Sequence, residues 1–179
     1  MLAIAKEKLS KQQSKEVLFL DQDMTQFELY GTVDAIICLC DGMNYITHKS
    51  DLLKIFKIAK NYLNPNGLFI FDMKTQYNYE QISTQTFAQT EENAAYIWEN
   101  YYDKKRRLNE YAVTFFIEQN GSYKRFEEIH YQRAYSIEEI TQLAAKSTLN
   151  TLKILDMDKP STLKSPNKKT RRVCFIMEA

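Results

Sequence analysis

Apolar and polar positions divide the chain into stretches with different periods. Within residues 1–10, Leu2, Ala5 and Leu9 recur at helical spacing. Val17-Leu18-Phe19-Leu20 is apolar at every position and ends in Asp21-Gln22-Asp23, which predicts a short strand buried on both faces. Residues 33–40 predict a second such strand, ending in Asp41-Gly42. Over residues 51–63 the period becomes helical: Leu52, Ile55, Phe56, Ala59, Tyr62 and Leu63 form one stripe, with Ser50 placed to cap it. Asn64-Pro65-Asn66-Gly67 stops that helix, and Leu68-Phe69-Ile70-Phe71-Asp72 reads as a third buried strand.

Beyond Lys74 the pattern changes. Residues 94–135 hold seven tyrosines, three phenylalanines and the only tryptophan. Residues 96–102, 108–118 and 123–133 alternate or nearly so, and polar turns separate them, which predicts an antiparallel three-stranded meander. Ser136-Ile137-Glu138-Glu139 is a capping box ahead of Ile137, Ile140, Leu143 and Ala144 at helical spacing. Residues 151–157 and 172–177 predict two closing strands. The expected fold class is therefore α/β, a doubly wound, mostly parallel sheet with an antiparallel meander inserted. Its core comprises residues 1–74 and 134–179, and residues 75–133 form the cap. Three strands end in acidic or polar residues, and in such sheets ligands bind outside the carboxyl ends of the strands.

Composition narrows the function. Average usage of about 7% would give about 12 glycines; the chain has 4. The closest pair, Gly31 and Gly42, is eleven residues apart, so neither a G-x-G-x-x-G loop nor a phosphate loop exists. The net charge of +1 creates no field for nucleic acid or an anionic membrane. Apolar runs fall far short of the ~20 residues a membrane span needs, and charge follows the N-terminal apolar residues, the wrong order for a signal peptide. Cys38, Cys40 and Cys174 are an odd set, expected as buried reduced thiols in a cytoplasmic protein, and they lack the spacing of a zinc site.

Several stretches, in this order, resemble the class I S-adenosylmethionine-dependent methyltransferases of the bacterial small-molecule type, with an antiparallel cap after the fifth strand. Met1-Leu2-Ala3-Ile4-Ala5-Lys6 resembles the helix after the family's second strand, and Leu20-Asp21-Gln22-Asp23-Met24 the end of its third. Val33-Asp34-Ala35-Ile36-Ile37-Cys38-Leu39-Cys40-Asp41 resembles the fourth. Leu63-Asn64-Pro65-Asn66-Gly67 and the strand to Asp72 resemble the fifth with its preceding turn, Asn66 standing where glycine is usual. The resemblance implies S-adenosylmethionine as cofactor. It implies that Asp23 accepts from the adenine amine, that Met24 offers a backbone N–H, and that Leu39, Cys40 and Asp41 lie beside the methionine part; the residues alone leave Asp23 also open to capping the turn that follows it. The family's first two strands and Gly-rich loop have no counterpart, so the chain is expected to be N-terminally truncated and competent only with that segment. A non-catalytic remnant or interaction subunit is the rival expectation. A nucleotide-binding oxidoreductase is disfavoured, because the glycines for a pyrophosphate are missing.

The remaining candidates carry open alternatives. Asp41 could position a nucleophile or attract the sulfonium, or it could start the turn at Gly42. Asn44 and Tyr45 could line a substrate cavity or cap the next helix. His130 is the candidate base, or a partly exposed sheet histidine, with Arg133 nearby on the opposite face of its strand. Tyr96, Trp98 and Tyr102 share one face, which could line a substrate pocket, pack the sheet or form a homodimer surface. Residues 158–172 hold six basic side chains against Asp158, a local +5 that reads as a solvated loop or an anion contact. The motifs of adenine N6 and cytosine C5 methyltransferases are missing, so a small-molecule acceptor is expected, and nucleic acid is disfavoured.

Overall fold

The computed structural model describes residues 2–9 and 16–179; Met1 and Ser10, the ends of the first expected helix, lie outside them. In chain order the elements are α1 (Leu2–Glu7), β1 (Val33–Cys38), a 3₁₀ turn (Gly42–Tyr45), α2 (Lys49–Tyr62), β2 (Leu63–Lys74) and α3 (Gln76–Ile82). Next come β3 (Thr86–Thr90), β4 (Ala94–Asp103), β5 (Leu108–Gln119) and β6 (Ser122–Arg133). The chain closes with α4 (Ile137–Lys146), β7 (Asn150–Asp156), a 3₁₀ turn (Pro160–Thr162) and β8 (Arg172–Glu178). They form two four-stranded sheets, ordered β1-β2-β8-β7 and β3-β4-β5-β6. In the first, β1 and β2 run parallel through the α2 crossover, and β8 is antiparallel to both its neighbours. No described helix is long and apolar enough to cross a membrane.

The core lies on one face of the first sheet. Phe69, Phe71 and Met73 point to it at the period of two, opposite Met177, Phe175 and Val173 of β8. Leu52, Ile55, Phe56 and Ala59 of α2 and Ile140, Leu143 and Ala144 of α4 cover that face. Phe71 stacks on Phe175 at 5.0 Å and meets Phe56 at 5.7 Å. On the other face Asp72 and Cys174 are buried toward the cap, but the β1 side is open among the described residues: Ile37 is 61% exposed. So the expectation that β1 is buried on both faces is corrected. Val17-Leu18-Phe19-Leu20 also forms no strand; Val17 and Leu18 are exposed, because a short apolar run becomes a strand only when a partner pairs with it.

The turn from α2 into β2 explains its residues. Val33 pairs with Leu63 and Ala35 with Leu68, so residues 64–67 loop out of the ladder. Asn66 sits at φ 64, a left-handed conformation that asparagine tolerates. A Cβ on Gly67 would lie 2.8 Å from the Asn64 carbonyl, so glycine is required there. Helix α2 starts at Lys49 with His48 at the N-cap, which puts the expected cap, Ser50, inside the first turn. The capping box of α4 is formed as read: Ser136 Oγ accepts from the Glu139 N–H, and Glu139 returns a carboxylate oxygen to the Ser136 N–H at 2.8 Å.

The meander has one strand more than expected. β3 is exposed at every position, so it carries no alternating pattern to betray it, and the short polar helix α3 is equally silent. Between β5 and β6, Asn120 and Gly121 both take positive φ, the two-residue turn that Asn-Gly favours. Phe71→Ala is expected to cost about 3–5 kcal/mol in a denaturant titration, whereas Ile37→Ala is expected to stay within ±0.5 kcal/mol; comparable losses would contradict a core confined to one face.

Candidate active site

At the end of β1 the backbone turns sharply. Cys40 and Asp41 take positive φ of 61 and 53 degrees in succession. This leaves Leu39 and Cys40 exposed and swings Asp41 inward, where it starts the 3₁₀ turn by accepting from the Asn44 N–H at 3.0 Å. Cys40 thus departs from the expected buried thiols, because it lies past the strand whose alternation would have placed it. Asp41 gathers three segments around its own. Its Oδ2 accepts from Gln132 Nε2 at 2.7 Å and Lys74 Nζ at 3.0 Å, and its Oδ1 from Arg172 Nη2 at 2.8 Å. Asp72 accepts from the Asp41 N–H at 3.2 Å and pairs with the other arm of Arg172. Burial alone would raise the Asp41 pKa, but Gln132, Lys74 and Arg172 outweigh it and hold the carboxyl below its ordinary value.

The cap sheet stands over this cluster, and its register arranges the inner face in rungs. Tyr102, Asn109 and Gln132 form the rung nearest the core, followed by Asn100, Tyr111 and His130. Trp98, Val113 and Glu128 come next, then Tyr96 with Phe115 and Phe126. The outermost of these rungs is wholly aromatic, and the one before it carries a carboxylate that pairs with His130. Between the sheets lies a cavity of about 470 Å³, within the size range of small-molecule sites. Asp41, Tyr45 and Lys74 line its core side; Tyr96, Trp98, Tyr111, His130 and Gln132 are among those lining the cap side. Lys74 Nζ lies 3.3 Å from the Tyr111 hydroxyl and 5.2 Å from its ring centre. Burial pushes the Tyr45 and Tyr111 hydroxyls up, so both stay protonated near neutral pH.

No protein-family model matches the chain. It is 32% identical over 145 residues to a Bacillus subtilis (strain 168) protein named "Putative methyltransferase YqeM", covering 80% of this chain and 58% of that protein. It is 29% identical over 178 residues to "Putative methyltransferase GWCH70_2453" of Geobacillus sp. (strain WCH70), covering 98% and 70%. A solved S-adenosylmethionine-dependent methyltransferase from Clostridium acetobutylicum ATCC 824 superposes with a TM-score of 0.84 at 30% identity, over 99% of this chain and 70% of that one. The chain belongs to the S-adenosylmethionine-dependent methyltransferases. The chain spans 58% of the length of the Bacillus relative.

The cavity brings together five residues singled out from the sequence: Asp41, Tyr45, Tyr96, Trp98 and His130. The Tyr96–Trp98 face points at the core sheet's strand ends, and Tyr102 on that face is buried against Tyr79, their rings 5.7 Å apart. Two candidates fall elsewhere. Asn44 is fully buried, donating to the Lys74 and Arg133 carbonyls and accepting from the Lys74 N–H at 2.9 Å, so it latches cap to core and lines no cavity. Arg133 points to the outer face, where it donates to the Thr47 carbonyl and covers the Tyr135 ring, as its odd position in the alternation requires. Asp41, for which contact with a nucleophile or sulfonium and a start to the turn at Gly42 were both open, starts that turn and has both carboxylate oxygens engaged.

The residues present fit one wall of a cofactor site. Asp23 Oδ1 accepts from both the N–H and the hydroxyl of Thr25, at 2.7 and 2.8 Å, which orients the exposed carboxylate and keeps it ionised. Met24 Cε reaches within 4.0 Å of the Cβ position of Gly42. The turn at Asp23 and the end of β1 are thus continuous. Residues missed from the sequence are Asp72, Lys74, Tyr111, Gln132 and Arg172. A usable signal existed for two of them: Gln132 and Tyr111 follow from alternation once His130 is placed on the inner face.

A second cluster fastens the cap. Arg107, in the turn before β5, donates to both oxygens of Glu139 at 2.7 and 2.8 Å, and Lys49 pairs with the same carboxylate. Burial would raise Glu139, but these partners and the Ser136 N–H hold it at about 2. Asp41 and Glu139 both lie below the ordinary unfolded value of about 4. The Glu139 stabilisation is therefore present above about pH 4 and is lost as the pH falls toward about 2, and that of Asp41 is lost in the same direction. Urea midpoints should drop steeply across this interval, and Glu139→Gln should flatten the drop; an unchanged slope would show that this carboxylate contributes nothing.

Proposed function

We propose that this protein transfers a methyl group from S-adenosylmethionine to a small-molecule acceptor held between the strand ends and the cap. The observation that carries this reading is the shared cavity. It joins the end of β1, where Asp41 and Tyr45 sit, to the aromatic inner face of the cap. S-adenosylmethionine, when bound, supplies a methyl group on a sulfonium, a donor already activated for displacement. The protein's part is positioning and exclusion of water. Asp23 and Met24 would hold the adenine, and Leu39, Cys40 and Asp41 the methionine part. Tyr45, Tyr96 and Trp98 hold the acceptor. His130, whose Nε2 lies 3.1 Å from a Glu128 carboxylate oxygen, takes the acceptor's proton.

The bare edge of β1 favours a second reading, in which a strand from another polypeptide or an upstream segment completes the sheet before the cofactor binds. Calorimetric titration with S-adenosylhomocysteine separates the two, run on this chain and on a version extended upstream with a family-like strand and Gly-rich loop. Binding by the chain alone supports the first reading; binding only by the extended form supports the second. Failure of both at millimolar ligand defeats the enzyme reading. In whichever form binds, Asp23→Ala should weaken affinity by about tenfold, or 1.4 kcal/mol.

A further inference from the structure

The cationic members of the Asp41 cluster are its exposed ones. Lys74 keeps 18% of its side chain accessible against 11% for Asp41. Arg172 keeps 32% against 5% for Asp72. The carboxylates thus face inward and the cluster, though neutral in sum, presents positive charge. Lys74 brings that charge into the cavity, where an ammonium has three N–H donors. Two partners in the cavity floor are in place, Asp41 and Tyr111. A ligand oxygen bearing negative charge matches the remaining capacity of this group. A ligand ammonium does not: both oxygens of Asp41 are engaged, and the Tyr111 ring already faces Lys74.

Away from Lys74 the β4 and β5 side of the wall becomes apolar and aromatic, while on β6 the Glu128 carboxylate is paired with His130. Successive rungs on one face are separated by two residues, roughly 7 Å, so from Tyr111 through Trp98 to Phe115 the wall extends for roughly 14 Å. Trp98 stands edge-on to Tyr111 at 5.2 Å, and Tyr96 lies 6.5 Å from Phe115. Such a surface suits flat rings, which meet aromatic side chains by offset or edge contacts.

We propose that the acceptor is a planar compound of two or more aromatic rings carrying an ionisable oxygen, a phenol or an aromatic carboxylate. Its oxygen sits on Lys74 and its rings run outward along the inner face of the cap. This rests on the cavity being the acceptor site, yet it is tested without the cofactor. Trp98 is the only tryptophan, so 5-fluorotryptophan labelling gives one ¹⁹F resonance located in the cavity. 2-Naphthoate, 2-naphthol, naphthalene and 2-naphthylmethylammonium are titrated by calorimetry, with the ¹⁹F shift confirming the place of binding. At least one of the two oxygen-bearing probes should bind ten times more tightly than naphthalene and shift the resonance; which one does so distinguishes carboxylate from phenol. Lys74→Met should erase that advantage and leave naphthalene unchanged. Equal affinity for naphthalene, tighter binding of the ammonium, or an advantage that survives in Lys74→Met would each overturn the proposal. Should the variant fail to fold, the wild-type ranking decides. Binding of these probes without binding of S-adenosylhomocysteine by either the chain or its extended form would leave the acceptor class standing and the enzyme reading defeated.

Discussion

A carboxylate taken out of water must be met by charge and hydrogen bonds, and Asp41 is such a group. Lys74, Arg172 and Gln132 meet it, drawn from the end of β2, the start of β8 and the end of β6. No two of these segments are neighbours in sequence, so satisfying one side chain fixes how cap and core face each other. Replacing a buried ion pair with apolar residues is often neutral for stability, whereas removing one partner is costly. The cluster is therefore better understood as a device for geometry than as a source of stability. Asn44 repeats the logic with neutral groups, tying the β2 and β6 main chains together three residues further on.

Each sheet divides its two faces between two tasks. In the core sheet, Phe69, Phe71 and Met73 face the helices, while Asp72 and Lys74 alternate to the opposite side and meet the cap. In the cap, the inner face carries Tyr96, Trp98, Tyr111 and His130, and the outer face carries Arg133 and exposed Ile97, Tyr101 and Tyr131. The period of two thus converts one linear sequence into a packing surface and a binding surface on each sheet. The low glycine count fits this economy: only at Gly67, and in the turn at Gly121, does the backbone described here demand it.

Much of this was legible where one physical requirement leaves a periodic trace. The stripes of α2 and α4, the capping box at Ser136 and the three long cap strands all show it, because each element buries one face. Val17 to Leu20 misled for the same reason: an apolar run states that a strand would be favourable if paired, and pairing is a property of other segments. The short polar α3 and the exposed β3 left no trace to read. At the site, aromatic residues were found through alternation. Lys74 and Arg172 were not, since their meeting depends on the antiparallel register that sets them opposite each other across β2 and β8. Arg172 was instead counted among the charges of a solvated loop, a reading that local composition cannot distinguish from a structural cation.

The free edge of β1 has a practical side. Its backbone N–H and C=O groups face away from β2 with no strand beside them among the described residues, and Ala35, Ile37 and Leu39 flank it. Asp34 is the one charge within the strand, and its carboxylate is engaged by Asn64. Natural sheets guard such edges with lysine, proline or a bulge; β1 has no lysine or proline, and its one register shift lies between Val33 and Ala35, on the side of β2. Prepared at high concentration, the protein offers other chains a ready template for strand addition.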